Sequence, residues 1–195
     1  MTFPKRIAGI IALATFFAAF QSGFASGHKF IDLFNGKDLT GWRYSGPKGK
    51  STAGMTQTPD GRVEVKDGVI VMKAKDAKGK GGIRDLYTDK SFDKDFVLRM
   101  QFRAESKADS GVYIRGPQLQ VRDFIRRNEQ KHLKNFKNDD WNDLVITVKG
   151  TEATYTVNGE KLKPEKMKIP AKGPIGLQAE TGKFEFRNVQ IKIIE

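Results

Sequence analysis

The chain has 195 residues, of which 38% are hydrophobic, and 35 Lys and Arg against 23 Asp and Glu give it a formal net charge of +12. This length fits one globular domain, and 14 Phe, 2 Trp and 4 Tyr supply enough apolar surface for a packed core, which excludes a disordered chain. The absence of cysteine excludes disulfides, thiolate zinc sites, iron–sulfur clusters and a cysteine nucleophile. With only His28 and His132 as imidazole donors, no metal or cofactor is predicted, although Asp and carbonyl oxygens leave calcium open.

The N-terminus has the pattern of a secretory signal peptide. Two basic residues precede an apolar run over residues 7–20, and small residues follow it up to Ala25. The run is shorter than the ~20 residues that a membrane-spanning helix needs. We therefore predict a signal peptide over residues 1–25 that is cleaved near Ala25. The mature part, residues 26–195, is then a single domain without a membrane span, located in the periplasm or outside the cell.

The basic character of the chain indicates a solvated surface. Lysines cluster at 48–50 and 73–80, but they lie among Gly and Ala and lack the interleaved aromatic residues of nucleic-acid-binding segments. No nucleic acid partner is predicted. Acidic polysaccharide is an alternative partner, since long-range attraction would favour it.

Period-two alternation dominates the chain from Phe30 onward. Between residues 96 and 103 the apolar positions alternate with Arg99, Gln101 and Arg103, which is typical of a half-buried strand. Further strands are predicted over residues 62–65, 69–73, 111–115, 119–122, 144–149, 153–157, 175–179 and 184–194.

Turn signals separate these strands. The Asp67-Gly68 and Asn158-Gly159 pairs predict tight hairpins, because such pairs readily adopt positive φ. In the last strand the apolar positions change parity, which predicts a β-bulge near Arg187. Short strands with little helical periodicity predict an all-β fold, an antiparallel β-sandwich or barrel, with long loops over residues 44–61 and 123–140.

A polar surface shared by neighbouring strands is the feature most suggestive of function. If the apolar positions point into the core, the alternate side chains of three successive strands point outward together. These side chains are Arg99, Gln101, Arg103, Tyr113, Arg115, Gln118, Gln120 and Arg122. Planar donors and acceptors beside an aromatic ring suit sugar hydroxyls, each of which needs a partner when buried. The alternative is an ordinary solvated sheet face.

The loop after this surface contains candidate proton carriers. His132 can act as a general acid or base near neutral pH, and Asp123 can serve as a base or orient a partner. Lys134 lies two residues beyond and is a further candidate contact for the substrate. The alternative is that His132 is simply an exposed loop histidine.

Several segments together resemble the 3-keto-disaccharide hydrolase domain family. The resemblance covers essentially the whole mature chain. It is carried by residues 30–42 (FIDLFNGKDLTGW), 109–116 (DSGVYIRG), 118–123 (QLQVRD), 141–142 (WN), 158–159 (NG), 176–178 (GLQ) and 186–189 (FRNV).

The resemblance implies a concanavalin A-like or laminin-G-like jelly roll whose concave face holds a glycan. It also implies an exported enzyme that acts on 3-keto-glycosides or 3-keto-disaccharides by elimination or net hydrolysis of the glycosidic bond. Such a site needs a base for the C2 proton, a donor for the enolate oxygen and a proton source for the leaving group.

The resemblance also suggests roles for residues. Arg115 is then the enolate or hydroxyl ligand, Tyr113 and Gln120 position the sugar, and Asp123 or His132 carries the proton. One departure concerns Gln118, because the family commonly has an acidic residue there. The alternative function is therefore a non-catalytic, lectin-like carbohydrate-binding domain.

Overall fold

The computed structural model describes residues 29–76, 78–162 and 166–194, and these residues form an antiparallel β-sandwich. The strands in chain order are β1 (Ile31–Asp32), β2 (Trp42–Tyr44), β3 (Lys50–Ser51), β4 (Val63–Lys66), β5 (Val69–Met72), β6 (Arg84–Thr88), β7 (Phe96–Ala104), β8 (Asp109–Ile114), β9 (Gln118–Arg122), β10 (Asn142–Lys149), β11 (Glu152–Val157), β12 (Glu160–Lys161), β13 (Met167–Lys168), β14 (Ile175–Ala179) and β15 (Phe184–Ile193). The predicted signal peptide lies outside the described residues. In the described part, no helix has the length and apolar character to span a membrane.

Two sheets make up the sandwich. The nine-stranded sheet has the order β12-β11-β10-β7-β15-β5-β4, with β1 on β15 and β13 on β11. The six-stranded sheet has the order β3-β2-β6-β14-β8-β9. The predicted all-β antiparallel sandwich of the jelly-roll type is confirmed.

The alternation of side chains explains how the two sheets pack. In β7, Phe96, Leu98 and Phe102 are fully buried, whereas Arg99 between them is exposed. The rings of Phe102 and Phe184 stack 5.6 Å apart in the core between the sheets. Each sheet therefore turns one face to the core and leaves the other on the outside.

The predicted turns and the predicted bulge are confirmed. Asp67 and Asn158 have φ of 51° and 48°, each followed by a glycine with positive φ, as two-residue hairpins require. The pairing of β15 with β7 shifts between Arg187 and Gln190, and Asn188 in between adopts φ 53°. The bulge preserves the inward direction of both halves of β15.

The two stretches predicted to be long loops differ from each other. Residues 44–61 include the strand β3, which pairs with β2 at the edge of the six-stranded sheet. Residues 123–140 contain two 3₁₀ turns, Phe124–Arg127 and Glu129–Lys131. Phe124 packs edge-on against Phe102, which anchors this second segment to the core.

Candidate active site

The outer face of the six-stranded sheet carries a compact group of polar side chains, which we call the candidate face. The pairing of β14 with β6 sets Gln178 opposite Asp85 and Gly176 opposite Tyr87. The pairing of β14 with β8 sets Gly176 opposite Tyr113. The residues between them in sequence, such as Leu86 and Leu177, are buried in the core, so these side chains point outward. The candidate face comprises Asp85, Tyr87, Tyr113, Gln118, Gln120 and Gln178.

Two glycines provide space on the candidate face. A Cβ at Gly176 would lie 2.7 Å from Cε1 of Tyr87 and 3.0 Å from Cδ2 of Tyr113. The two tyrosine rings instead meet over this glycine, with centroids 5.2 Å apart. In the same way, a Cβ at Gly111 would lie 2.0 Å from the amide nitrogen of Gln118, so that side chain lies flat on the strand.

A chain of hydrogen bonds orients the amides. Gln118 Nε2 donates to Gln178 Oε1, and Gln178 Nε2 donates to the Tyr113 hydroxyl oxygen at 3.1 Å. The Tyr113 hydroxyl also interacts with the Asp85 carboxylate, and this interaction contributes to the raised pKa of the tyrosine. Tyr113 thus connects the two amides to Asp85.

Asp85 has the properties of a general base. Burial raises the pKa of its carboxyl to about 6, while the Tyr113 hydroxyl and the positive charge of Arg62 act in the opposite direction. Its Oδ1 atom is buried without a hydrogen-bond partner among the described residues. A half-buried carboxyl that titrates near neutral pH is suited to take and return a proton.

The two tyrosines remain hydrogen-bond donors at neutral pH. Burial raises the pKa of the Tyr113 phenol to about 12, and the Asp85 charge acts in the same direction. The pKa of Tyr87 is also well above its ordinary value, for the same two reasons. Neutral phenols beside a carboxylate can stabilise negative charge that develops on a substrate oxygen.

The expectation that Arg115 points outward beside Tyr113 is wrong. Arg115 directly follows β8 and has φ 56°, and this left-handed conformation interrupts the alternation of the strand. Its guanidinium is buried, donating to the carbonyls of Lys94 at 2.6 Å and of Gly150 at 3.0 Å. The group lies over the Phe96 ring, and burial lowers its pKa. In this position Arg115 ties the ends of the two sheets together, away from the candidate face.

The loop residues Asp123, His132 and Lys134 lie in the segment that follows β9. Both carboxylate oxygens of Asp123 accept backbone bonds, from Ile125 at 3.0 Å and from Lys107 at 2.8 Å. Asp123 is thus the N-cap of a 3₁₀ turn, a structural role that leaves no unused oxygen for catalysis. His132 and Lys134 are exposed in the same loop, and their predicted roles stay predictions.

The prediction that β7, β8 and β9 share one polar surface is wrong, because β7 belongs to the nine-stranded sheet. Arg99 and Gln101 therefore lie on the opposite outer face, where they line a cavity of about 400 Å³. The carboxylate at that cavity, Asp143, accepts a hydrogen bond from Gln101 at 2.9 Å and is exposed. Arg103 pairs with Glu185 on the same outer face.

Arg122 is held by ion pairs at one end of the six-stranded sheet. Its guanidinium lies 3.7 Å from Asp109 and 3.5 Å from Glu129, and its side chain is only 8% exposed. Arg126 also pairs with Asp109, at 3.0 Å. The candidate substrate contacts that the structure does bring together are thus Tyr113, Gln118 and Gln120.

Sequence reasoning missed the strand that carries Asp85. Asp85 and Tyr87 lie in β6, a strand of five residues that follows a Lys- and Gly-rich stretch. The alternation of these two residues with Leu86 and Thr88 is the signal that predicts a strand here. Gln178 appears in one of the segments that carry the resemblance, but no role was assigned to it. Among the described residues, no group of three or more His, Asp or Glu is arranged to hold a metal ion.

Comparison with known proteins gives a family match. A family profile described as "3-keto-alpha-glucoside-1,2-lyase-like domain" matches residues 29–192. No curated protein matches the chain.

Solved structures share the architecture. A proposed glycosyl hydrolase from Parabacteroides distasonis ATCC 8503 has 21% identity, with 85% of this chain and 94% of that one covered and a TM-score of 0.61. A second structure described in the same way, from the same organism, has 20% identity, with 85% and 100% covered and a TM-score of 0.60. A carbohydrate-binding module from Bacillus subtilis has 12% identity, with 79% and 96% covered and a TM-score of 0.51. At these identities the likeness shows the fold alone.

Proposed function

We propose a function from the premise that this chain belongs to the 3-keto-alpha-glucoside-1,2-lyase-like domain family, whose profile spans residues 29–192. The protein cleaves the glycosidic bond of glycosides that are oxidised at C3, and the candidate face is its active site. The observation that carries this proposal is the half-buried Asp85 carboxyl on the candidate face, whose pKa of about 6 suits the removal of a carbon-bound proton.

The reaction begins at C2. A ketone at C3 acidifies the C2 proton, so the Asp85 carboxylate takes that proton and the electron pair of the C–H bond forms an enolate. The enolate then expels the oxygen substituent at C1, and protonated Asp85 returns the proton to that oxygen. The products are an alcohol and a 2-hydroxy enone, and Asp85 is again a carboxylate.

The residues around Asp85 supply the other contacts with the substrate. Once Asp85 has taken the C2 proton, its negative charge is gone, and the neutral hydroxyls of Tyr87 and Tyr113 can donate to the charge that develops on the C3 oxygen. Gln120 is half-buried, and its amide bonds only weakly to the carbonyl of Ser110 at 3.4 Å, so it is available for a sugar hydroxyl. The Gln118 and Gln178 amides are fixed by their mutual bond and shape the surface.

A non-catalytic glycan-binding function is the second candidate. It is favoured by Gln118, because an amide stands where the family resemblance implies an acid. An aromatic pair surrounded by amides also suits sugar recognition without turnover.

Turnover of a chromogenic 3-keto-glucoside distinguishes the two functions. We expect the purified domain to release the aglycone, and we expect the non-oxidised glucoside to remain intact because its C2 proton is not acidic. Binding of the 3-keto-glucoside without any release of aglycone would contradict the enzymatic function and favour the binding domain.

Export is proposed from the N-terminal sequence alone. The apolar run over residues 7–20 and the small residues up to Ala25 are the basis for a periplasmic or secreted location. Mass spectrometry of the protein isolated from the expressing cell tests it, with a mature N-terminus near Ser26 as the expected result. A protein that retains residues 1–25 in the cytoplasm would contradict it.

A further inference from the structure

A second carboxylate, Glu180, lies beside Asp85 on the candidate face. The register sets Gln178 opposite Asp85 and Ala179 opposite Arg84, and Glu180 follows directly. Ala179 is buried in the core, and alternation continued one residue beyond β14 places Glu180 on the side of Gln178, where its charge acts on Asp85. Side chains in this diagonal relation across neighbouring strands are about 7–8 Å apart.

Neither carboxylate is neutralised by a cation. Among the described residues, Asp85 and Glu180 form no ion pair and Glu180 forms no hydrogen bond, although the chain has 35 Lys and Arg. Both side chains are half-buried. By contrast, the half-buried Glu64 pairs with Lys73 at 2.8 Å. Two unpaired, partly buried carboxylates on one sheet face have an unfavourable interaction, which typically indicates a functional pair.

The charges around Asp85 are defined on each neighbouring element. Arg84 on its own strand and Arg62 from the segment before β4 lower its pKa, whereas Glu180 beyond β14 raises it. Tyr87 on the same strand and Tyr113 on β8 carry no charge at neutral pH. Glu180 is thus the acidic residue that acts on Asp85 from the adjoining strand.

We propose that Glu180 is the base that activates water after the leaving group has departed, so that the pair Asp85 and Glu180 converts elimination into net hydrolysis. This inference rests on the function proposed above. It extends that function by a second step, the addition of water to the enone, and assigns this step to Glu180. It also separates two activities, release of the alcohol and consumption of the enone.

The second step balances as follows. A water molecule adds through oxygen to C1 of the enone, and Glu180 takes one of its protons. The electron pair of the double bond moves to C2 and the C3 oxygen as an enolate. Protonated Glu180 then delivers that proton to C2, which leaves the 3-keto sugar with a hydroxyl at C1. The backbones of two diagonal neighbours are about 7–8 Å apart, so a water molecule can lie between their side chains.

Product analysis of the Glu180→Gln variant tests the assignment. The wild type should give the hydrated 3-keto sugar. The variant should release the aglycone within about threefold of the wild-type rate, because Asp85 is intact. The enone should accumulate instead, with the ratio of hydrated sugar to enone at least about tenfold lower, since loss of a general base typically costs about 10²–10⁴-fold. Ultraviolet absorbance and NMR distinguish the two products.

Glu152→Gln is the matched control. Glu152 is an exposed glutamate of the nine-stranded sheet that pairs with Lys166 at 3.2 Å, so this variant should give the wild-type product ratio. A wild-type ratio in Glu180→Gln would overturn the role of Glu180 while leaving the aglycone-releasing activity in place. No aglycone release by the wild type would instead overturn the proposed function itself.

A titration gives a readout independent of turnover and of any loss of folding. The Asp85 carboxyl, followed by NMR in the folded protein, should titrate at lower pH in Glu180→Gln than in the wild type, and at the wild-type pH in Glu152→Gln. An unchanged Asp85 titration in a folded Glu180→Gln protein would show that the two carboxyls are not neighbours and would overturn the proposal.

Discussion

The two outer faces of this sandwich are built from similar residues but differ in how their charges are balanced. On the nine-stranded sheet, Arg103 pairs with Glu185, and Asp143 accepts a hydrogen bond from Gln101. On the six-stranded sheet, Asp85 and Glu180 form no ion pair among the described residues. Polar composition alone therefore does not identify a functional surface. The distinguishing feature is a carboxyl whose pKa is raised by burial although Arg62 and Arg84 act in the opposite direction.

The largest expected effect comes from removing the base. Asp85→Asn should reduce aglycone release by about 10²–10⁴-fold, because the amide cannot accept the C2 proton. In the wild type, the rate should fall as the pH drops through about 6, where the carboxylate becomes protonated. Initial rates between pH 4 and 9 measure both. A variant that retains wild-type turnover would place the chemistry elsewhere.

Arg115→Ala should damage folding rather than chemistry. The substitution removes the donors to the carbonyls of Lys94, Gly150 and Pro170 and leaves a cavity over Phe96, at a cost of about 2–4 kcal/mol in the free energy of unfolding. Denaturant unfolding measures this. Turnover per folded molecule should stay close to that of the wild type, and abolished turnover with unchanged stability would return Arg115 to the mechanism.

The buried charge of Asp85 should reduce stability at high pH. A folded pKa of about 6 lies above the ordinary carboxyl value of 3.8, so the folded state binds the proton more tightly than the unfolded state. The free energy of unfolding should therefore fall as the pH rises from about 4 to 6. Asp85→Asn should be more stable than the wild type by about 1–3 kcal/mol at pH 8, and this gain should disappear near pH 4. Equal stability at both pH values would contradict burial of the charge.

The smallest effect is expected on the opposite sheet. Gln101→Ala removes hydrogen bonds to Asp143 and Arg187 at the exposed cavity, so aglycone release should stay within about twofold of the wild type. His132→Ala should behave similarly, since the side chain is exposed in the loop. Measuring kcat/KM for both variants and for Asp85→Asn compares the effect of substitutions on the two outer faces. A loss of tenfold or more in Gln101→Ala would move the active site to the nine-stranded sheet.

Local patterns in the sequence determined most of the longer strands, although not β6, together with the hairpins and the bulge. Strict alternation in residues 96–103, turn pairs such as Asp67-Gly68 and the parity change near Arg187 are properties of neighbouring residues, so they can be read without tertiary information. The same patterns, together with the motif segments, determined the fold class and the family.

Only the tertiary structure decided which strands share a sheet and therefore which side chains meet. Alternation states that Arg99 and Tyr113 both point away from a core, but sheet pairing sets them on opposite outer faces. Alternation also cannot show that Arg115, directly after β8, adopts a left-handed conformation and turns its side chain inward. Asp85 and Glu180 are 95 positions apart, and their chemistry depends on burial and on the register of β6 with β14, which are fixed by long-range packing.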